Sequence, residues 1–528
     1  MKIFISILSI LVVIGSYLLF QHNTKTPAFL LNALDKPLKM SQESTRDSLF
    51  SEETITPPNI VIIMADDLGW NDVGYHGSEI RTPNLDQLAK NGVELNRFYV
   101  QPTCSPTRAS LMTGKSPVRL GILAPFSKNN PRGLPLEEIT LADRLKQKGY
   151  QTALVGKWHL GGRNIKYTPN ARGFDYFYGN LMGGIGFWDH VHGGGYDLQR
   201  NGKVAREEGY ITHLTAKDAV NVIETRDKSR PLFLFASFNA PHLPNEAPAE
   251  TINKYQNIKN ERRRIHAAMV DEFDNAVGRL IASLDKENML ENTLIWFMSD
   301  NGGLIPKSSL VNYLPDWTME MITEKVMGQD LDMSPLFLDF ARIQLSQGAS
   351  DNSPQQGGKT TLWEGGIRVP SIVSWPRVLK PSRNEQMIAI QDVMPTLLSI
   401  TGNNENIGEI DGRSAWSALT GDEILPSNPV VSVSGPGQPN FSVIVYPWKL
   451  VKASNGGVKL YNVEADPTES YELSQDYPTI THQLEEYLDA FPRGDNLAIP
   501  HQEIVNDTDF FGGKEDRKPW AETVVNDE

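Results

Sequence analysis

Four apolar runs, each stopped abruptly by a polar cluster, constrain this chain more than any other feature. Asn59 to Ala65 leads at once into Asp66-Asp67-Leu68-Gly69. Thr152 to Gly156 leads into Lys157-Trp158-His159-Leu160-Gly161, and Pro231 to Phe238 into Asn239-Ala240-Pro241-His242. Thr293 to Ser299 leads into Asp300-Asn301-Gly302-Gly303. Apolar runs without polar alternation suit strands covered on both faces, as in a parallel sheet. Helical patterns lie between them. One spans Thr140 to Lys148, with Thr140 as N-cap and Gly149 as stop; another spans about Ile265 to Leu284. The alternation predicts an α/β fold with a large, mostly parallel sheet sandwiched by helices. Ligands of such sheets bind beyond the carboxyl ends of the strands, which is where all of these polar clusters fall.

The clusters carry chemistry. Asp66 and Asp67 are adjacent carboxylates after a buried strand, a costly arrangement unless a cation neutralises them. Asp300 and Asn301 add a carboxylate and an amide oxygen from a second strand end. This all-oxygen set, with no paired Cys/His spacing, suits Ca²⁺ or Mg²⁺ better than zinc; the plainer alternative is a helix cap and a turn. Cys104 is the only cysteine of the chain. A lone thiol makes no intramolecular disulfide and no thiolate cluster, so it is either an inert buried residue or one kept for its chemistry. It opens Cys104-Ser105-Pro106-Thr107-Arg108, and the next residues read as a helix closing at Gly114. That sets Cys104 near the positive end of a helix dipole, beside a permanent cation.

Cys104-x-Pro106-x-Arg108 followed by Leu111-x-Thr113-Gly114 resembles the signature of the type I sulfatases, members of the alkaline phosphatase superfamily. Gly156 to Gly161, Ala240-Pro241-His242 and Gly358 to Pro370 resemble further elements of that family. The resemblance runs over roughly residues 57 to 475. It is nearest to the arylsulfatase B-like branch, through Arg172-Gly173-Phe174-Asp175, Gly183-Gly184 and Thr361 to Gly366. It implies an alkaline phosphatase-like fold and a formylglycine made from Cys104, whose hydrate is the nucleophile. It also implies one calcium ion held by Asp66, Asp67, Asp300, Asn301 and the modified Cys104. Arg108, Lys157 and Lys359 would stabilise charge, and Lys157, His242 and Lys359 would bind substrate. His242 is the candidate acid for the departing oxygen, and His159 the candidate base that expels sulfate. The residue types suit the reaction: sulfate ester cleavage builds negative charge on nonbridging oxygens and on the leaving alkoxide, which preorganised cations stabilise. A histidine can protonate that leaving oxygen.

The implied substrate is a sulfated carbohydrate, polysaccharide or oligosaccharide, with a galacto-configured 4-O-sulfate as the expected group. The implied maturation partner is a formylglycine-generating or sulfatase-maturating enzyme. His190, in Phe187 to His192, either lines a sugar subsite or is a plain loop residue. The departure from the branch is Leu304 to Asn352, much longer here and amphipathic around Thr318–Met327 and Leu336–Leu345. It is either a substrate-shaping lid or a peripheral insertion. Two rival functions stand beside the sulfatase: a phosphate or phosphonate monoester hydrolase of the same superfamily, and a catalytically inactive carbohydrate-binding relative.

Composition bounds the rest. Hydrophobic residues make up 40% of the 528 residues, ample for a buried core. The net charge of −14 argues against a nucleic-acid partner, and it obliges an anionic substrate to be drawn in by local cations. Lys2 precedes the apolar stretch Ile3 to Phe20, which as a helix reaches roughly 27 Å, just short of a hydrocarbon core of about 30 Å. Residues 1–22 are therefore expected to be a signal peptide or a signal anchor, followed by a linker over 23–56. A catalytic domain is expected over 57–415, with the 304–352 insertion inside it. A C-terminal subdomain of a small antiparallel sheet and one helix is expected over 416–492, and a polar tail over 493–528. The expected location is exported, periplasmic or secreted, with membrane contact only through the N-terminal segment.

Overall fold

The computed structural model describes residues 57–127, 130–192, 195–305, 348–402, 408–435, 439–497 and 519–526. The apolar stretch of residues 3–20, the linker, the amphipathic segments of the insertion and most of the tail lie outside the described residues. Within these limits, no helix is long and apolar enough to cross a membrane.

The four apolar runs become strands β1 (Asn59–Ala65), β3 (Gln151–Gly156), β9 (Leu232–Ser237) and β10 (Thr293–Ser299). They lie side by side at the centre of a ten-stranded sheet, in the order β10-β1-β9-β3, and all pair in parallel. The sheet is completed on one side by β11 (Ser371–Ser374), β2 (Val93–Tyr99) and β12 (Ser382–Ala389). On the other side stand β4 (Tyr176–Gly179), β7 (Gln199–Arg200) and β8 (Lys203–Val204). Antiparallel pairing is confined to β11 and to the short β7 and β8. A two-residue hairpin of β5 (Val191–His192) and β6 (Gly195–Tyr196) stands apart.

Two-sided burial explains the unbroken hydrophobicity. Ile60, Ile62 and Met64 enter one core, and Val61, Ile63 and Ala65 enter the other. The first face is covered by α2 (Cys104–Thr113), α3 (Leu141–Gln147) and α8 (Ile390–Ile400). The second is covered by α1 (Pro83–Asn91), α4 (Ile211–Thr225) and α6 (Glu261–Lys286). Caps set the helix limits. The Thr140 hydroxyl accepts the Asp143 amide at 3.0 Å, and the Asn260 side chain accepts the Arg263 amide at 3.1 Å, which starts α6 earlier than its apolar stripe does. Two short helices, α5 (Ala249–Asn253) and α7 (Glu364–Ile367), lie in connections.

After α9 (Trp416–Thr420), an antiparallel sheet of β13 (Val430–Ser434), β14 (Asn440–Val445), β15 (Trp448–Lys452) and β16 (Val458–Asn462) follows. Leu484 and Leu488 of α10 (Pro478–Ala490) close its core over Val443, Leu450 and Leu460. Described residues of the tail are tied to the main fold. The Gly494 amide donates to Val118 and the Leu497 amide to Gly121, and Trp520 is buried with its indole N–H donating to His192 O at 2.7 Å. Gly195 lies against that indole, where a Cβ would sit 2.7 Å from the ring. Trp520→Ala should therefore cost about 3 kcal/mol, read as a lower midpoint in urea unfolding; an unchanged midpoint would mean that the tail is dispensable.

Candidate active site

Parallel register brings the carboxyl ends of the central strands level: Met64 and Gly156 both pair with Ser237, and Ala65 pairs with Ser299. Asp66, Lys157, the Asn239-to-His242 turn and Asp300 therefore emerge at one edge. Their backbones are tied, with the Asp66 amide donating to Ala240 O and the Asp300 amide to Ala65 O, each at 3.1 Å. Asp67 sits at φ 68 and His159 at φ 59, left-handed conformations that non-glycine residues adopt only when their surroundings impose them. Gly156, at φ 113, approaches Ser237 so closely that a Cβ would lie 1.8 Å from its carbonyl oxygen.

Cys104 occupies the first turn of α2, and the helix ends at Gly114, at φ 68, as expected. Arg108 stands one turn further on the same helix face. Its Nε and Nη2 donate to one oxygen of Asp300 at 3.0 and 2.8 Å, and its Nη1 donates to Lys157 O and Ser237 Oγ at 2.9 and 2.6 Å. The Ser105 hydroxyl donates to His159 O at 2.8 Å, fastening the helix to the histidine loop. Lys157 Nζ donates to Asp66 Oδ2 at 2.7 Å; Lys359 Nζ and Asn301 Nδ2 donate to the two oxygens of Asp67 at 2.8 and 2.7 Å. His242 Nε2 lies 3.7 Å from Asp67. Cys104 Sγ lies 3.8 Å from Asp66 Oδ1.

Three carboxylates thus face three fixed cations, nearly all of it buried. Burial pushes the Cys104 thiol up to about 12 against the pull of Lys157 and Lys359, so at neutral pH it is a thiol, not a thiolate. Burial likewise lifts Asp66 to about 8, with Lys157 opposing and Asp300 and Asp67 reinforcing. For Asp67 burial also works upward, but Lys359, His242 and Lys157 together hold it below the usual carboxylate range. Burial and then Lys359 depress His242 to about 3; burial and then Lys157 depress His159 well below its ordinary value. Both imidazoles are neutral. His159 Nε2 faces Phe126 O at 2.9 Å and so carries the proton, leaving a buried, unpartnered Nδ1. His242 Nδ1 faces Leu243 O at 2.7 Å, leaving Nε2 toward the carboxylates.

Asp66, Asp67, Cys104 and His242 each present a ligand atom within 4.8 Å of the others. Asn301 Oδ1 is buried without a partner and adds an amide oxygen to the set. An adjacent carboxylate pair with a spare amide oxygen fits a hard divalent cation. Asp300, expected among the ligands, accepts Arg108 Nε and Nη2 on Oδ2, while its Oδ1 faces the Asp67 amide at 3.3 Å and keeps a lone pair for a cation; His242 also stands among the clustered groups. Ser237 is a site residue that the sequence reading missed; its only signal is a hydroxyl ending an otherwise apolar run. The Asn239 carboxamide is also buried there with neither polar atom partnered.

A sulfatase family model matches residues 58–403, which contain every one of these side chains. The chain belongs to the sulfatase family. It is 31% identical over 501 residues to mouse (Mus musculus) arylsulfatase J, covering 84% of this chain and 76% of that protein. It is 30% identical over 395 residues to the dog (Canis lupus familiaris) N-acetylgalactosamine-6-sulfatase, covering 70% of this chain and 67% of that one. The crystal structure of Ps i-CgsB in complex with k-i-k-neocarrahexaose superposes with a TM-score of 0.73 at 29% identity, covering 86% of this chain and 98% of that one. The activity is that of a sulfuric ester hydrolase on an alkaline phosphatase-superfamily fold.

In this sulfatase His190 has no nitrogen to offer a sugar. It is buried, with Nε2 at 2.9 Å from Gly209 O and Nδ1 at 3.4 Å from the Tyr196 hydroxyl, so it braces its own loop. Asp197 has a comparable bracing role nearer the centre. Its carboxylate accepts the Leu181 and Met182 amides at 3.3 and 2.9 Å, and the Trp158 and His159 amides donate to the carbonyls of Asn180 and Leu181. Burial lifts Asp197 to about 8, above its unfolded value, so its contribution to stability is full in acid and is lost as pH rises toward 8. Asp197→Asn should therefore gain stability relative to wild type between pH 5 and pH 8, by up to about 1 kcal/mol per pH unit. Parallel urea midpoints for the two proteins across that range would contradict this.

Proposed function

We propose that this enzyme hydrolyses sulfate esters of a galacto-configured carbohydrate, with Cys104 in its formylglycine form supplying the nucleophile. One observation carries the reading: a buried residue 104, un-ionised as a thiol, at a helix N-terminus amid three fixed cations. A sulfhydryl so far from ionisation is a poor nucleophile, whereas the hydrated aldehyde of formylglycine offers an oxygen nucleophile at the same place. The carbohydrate assignment is supported by the relative named for N-acetylgalactosamine and by the neighbour crystallised with a carrahexaose. A 4-O-sulfate is the expected position.

Asp66, Asp67, Asp300 and Asn301, with the oxygen of modified residue 104, would hold a calcium ion. When bound, the ion supplies Lewis-acid charge to a sulfate oxygen. Lys157 and Lys359 each use one ammonium proton on an aspartate and keep others for nonbridging oxygens. Arg108 spends its donors on Asp300, Lys157 O and Ser237, so it fixes the geometry and adds charge from behind. His242 Nε2 gains proton affinity when an anion enters beside it, and then protonates the departing sugar oxygen. His159 accepts a proton at its unpartnered Nδ1 as sulfate leaves. A formylglycine-generating or sulfatase-maturating enzyme would be the maturation partner, and Cys104, 2% exposed, must meet it before the fold closes. Lys2 and the apolar Ile3 to Phe20 support export.

Cys104→Ser, made in a host that modifies only cysteine, should fold normally and lose at least about 10³-fold in kcat/KM on an aryl sulfate. Activity near wild type would sink the formylglycine assignment. Chelation should abolish turnover and calcium should restore it; activity indifferent to both would remove the metal from the mechanism. Among defined saccharides, galacto-configured 4-O-sulfates should be desulfated, and release from 6-O-sulfates alone would correct the position. Faster cleavage of the matched phosphate ester would favour the phosphatase alternative.

A further inference from the structure

Outside the site lies a second buried charge cluster that the reaction does not use. Lys449 of β15 is fully buried, with its ammonium 3.2 Å from Glu364 Oε1 and 2.7 Å from Glu469 Oε1. The other Glu364 oxygen accepts the Tyr99 hydroxyl at 2.7 Å, and the Glu364 amide donates to Glu469 Oε2 at 2.7 Å. Glu364 opens α7 in the main fold, whereas Lys449 and Glu469 come from the C-terminal antiparallel unit. Two carboxylates therefore enclose one ammonium at a junction between the two parts of the chain.

Through Glu364 this junction is part of the same loop that carries Lys359. The loop from Gln356 to Gly366 closes on itself through the Gly365 amide and Gln356 O at 2.8 Å. It grips the strand end that carries Asp300 and Asn301: the Gly302 amide donates to Gly366 O at 3.0 Å, and the Lys359 amide donates to Gly303 O at 3.1 Å. The fit is tight, since a Cβ on Gly302 would lie 1.8 Å from Gly365 O. The C-terminal unit touches the same loop twice more, through Ser434 Oγ donating to Thr360 O at 2.5 Å and through Tyr461 packed edge-on against Trp363. Lys359 Nζ then reaches Asp67.

We propose that Lys449 and Glu469 are positioning residues for Lys359, acting through Glu364 to hold the loop that aims its ammonium at the sulfate; this rests on the reading above, in which Lys359 contacts the sulfate. The C-terminal unit thereby completes the active site without supplying a group that touches substrate.

The test is a double-mutant cycle on the matured full-length enzyme with an aryl sulfate. Lys449→Met should lower kcat/KM about 10- to 100-fold in a folded protein, but less than about 2-fold further when Lys359→Ala is already present. Equal factors in the two backgrounds, or a folded Lys449→Met enzyme at the wild-type rate, would overturn the proposal. Should Lys449→Met fail to fold, Glu469→Gln, which keeps shape and one acceptor, carries the same cycle with the same two outcomes. A wild-type enzyme with no action on any sulfate ester would instead defeat the underlying reading and this proposal with it.

Discussion

Everything at the working end of the molecule depends on three carboxylates, Asp66, Asp67 and Asp300, held out of water against three cations, Lys157, Lys359 and Arg108. Each ion carries a desolvation penalty of several kcal/mol, and removing one partner of such a buried pair costs about 3–5 kcal/mol. The arrangement is therefore not a stability device. It persists because the parallel strands deliver the groups to one edge at fixed height, with backbone hydrogen bonds across that edge leaving little room to relax. What the fold obtains is a preorganised electric field in a chain whose net charge of −14 would otherwise repel an anion.

The same burial governs protonation. It keeps Cys104 un-ionised and both histidines neutral, so the free site holds no thiolate and no imidazolium. This protonation pattern supports the proposal that a modified residue 104 supplies the oxygen nucleophile and that His242 takes up its proton as the anion enters. The motif around Cys104 points to the modified residue, whereas the protonation of the free site follows from how completely the surrounding elements exclude water.

The fold was legible because two-sided burial writes uninterrupted apolar runs, and the candidate site could be located because each of those runs ends in a charged or amide residue. Other features were hidden for physical reasons. Lys449 lies in Trp448-Lys449-Leu450, where a charge between apolar neighbours reads as an outward-facing strand position. In fact it is fully buried, and its partners are 85 and 20 residues away. The sequence leaves His190 open between a sugar contact and a plain loop residue, and the structure favours the second, since Gly209 O and the Tyr196 hydroxyl face its two ring nitrogens. Trp520 sits in a mostly polar tail, and its burial beside Gly195 depends on a contact across more than three hundred residues.

Residue 104 is proposed to work as an aldehyde and not as a thiol. Mass spectrometry of the peptide carrying residue 104, made on enzyme preparations of graded specific activity, tests it most directly. Formylglycine is expected at that position, with turnover proportional to its fraction. Unmodified cysteine throughout a preparation of full specific activity would contradict it.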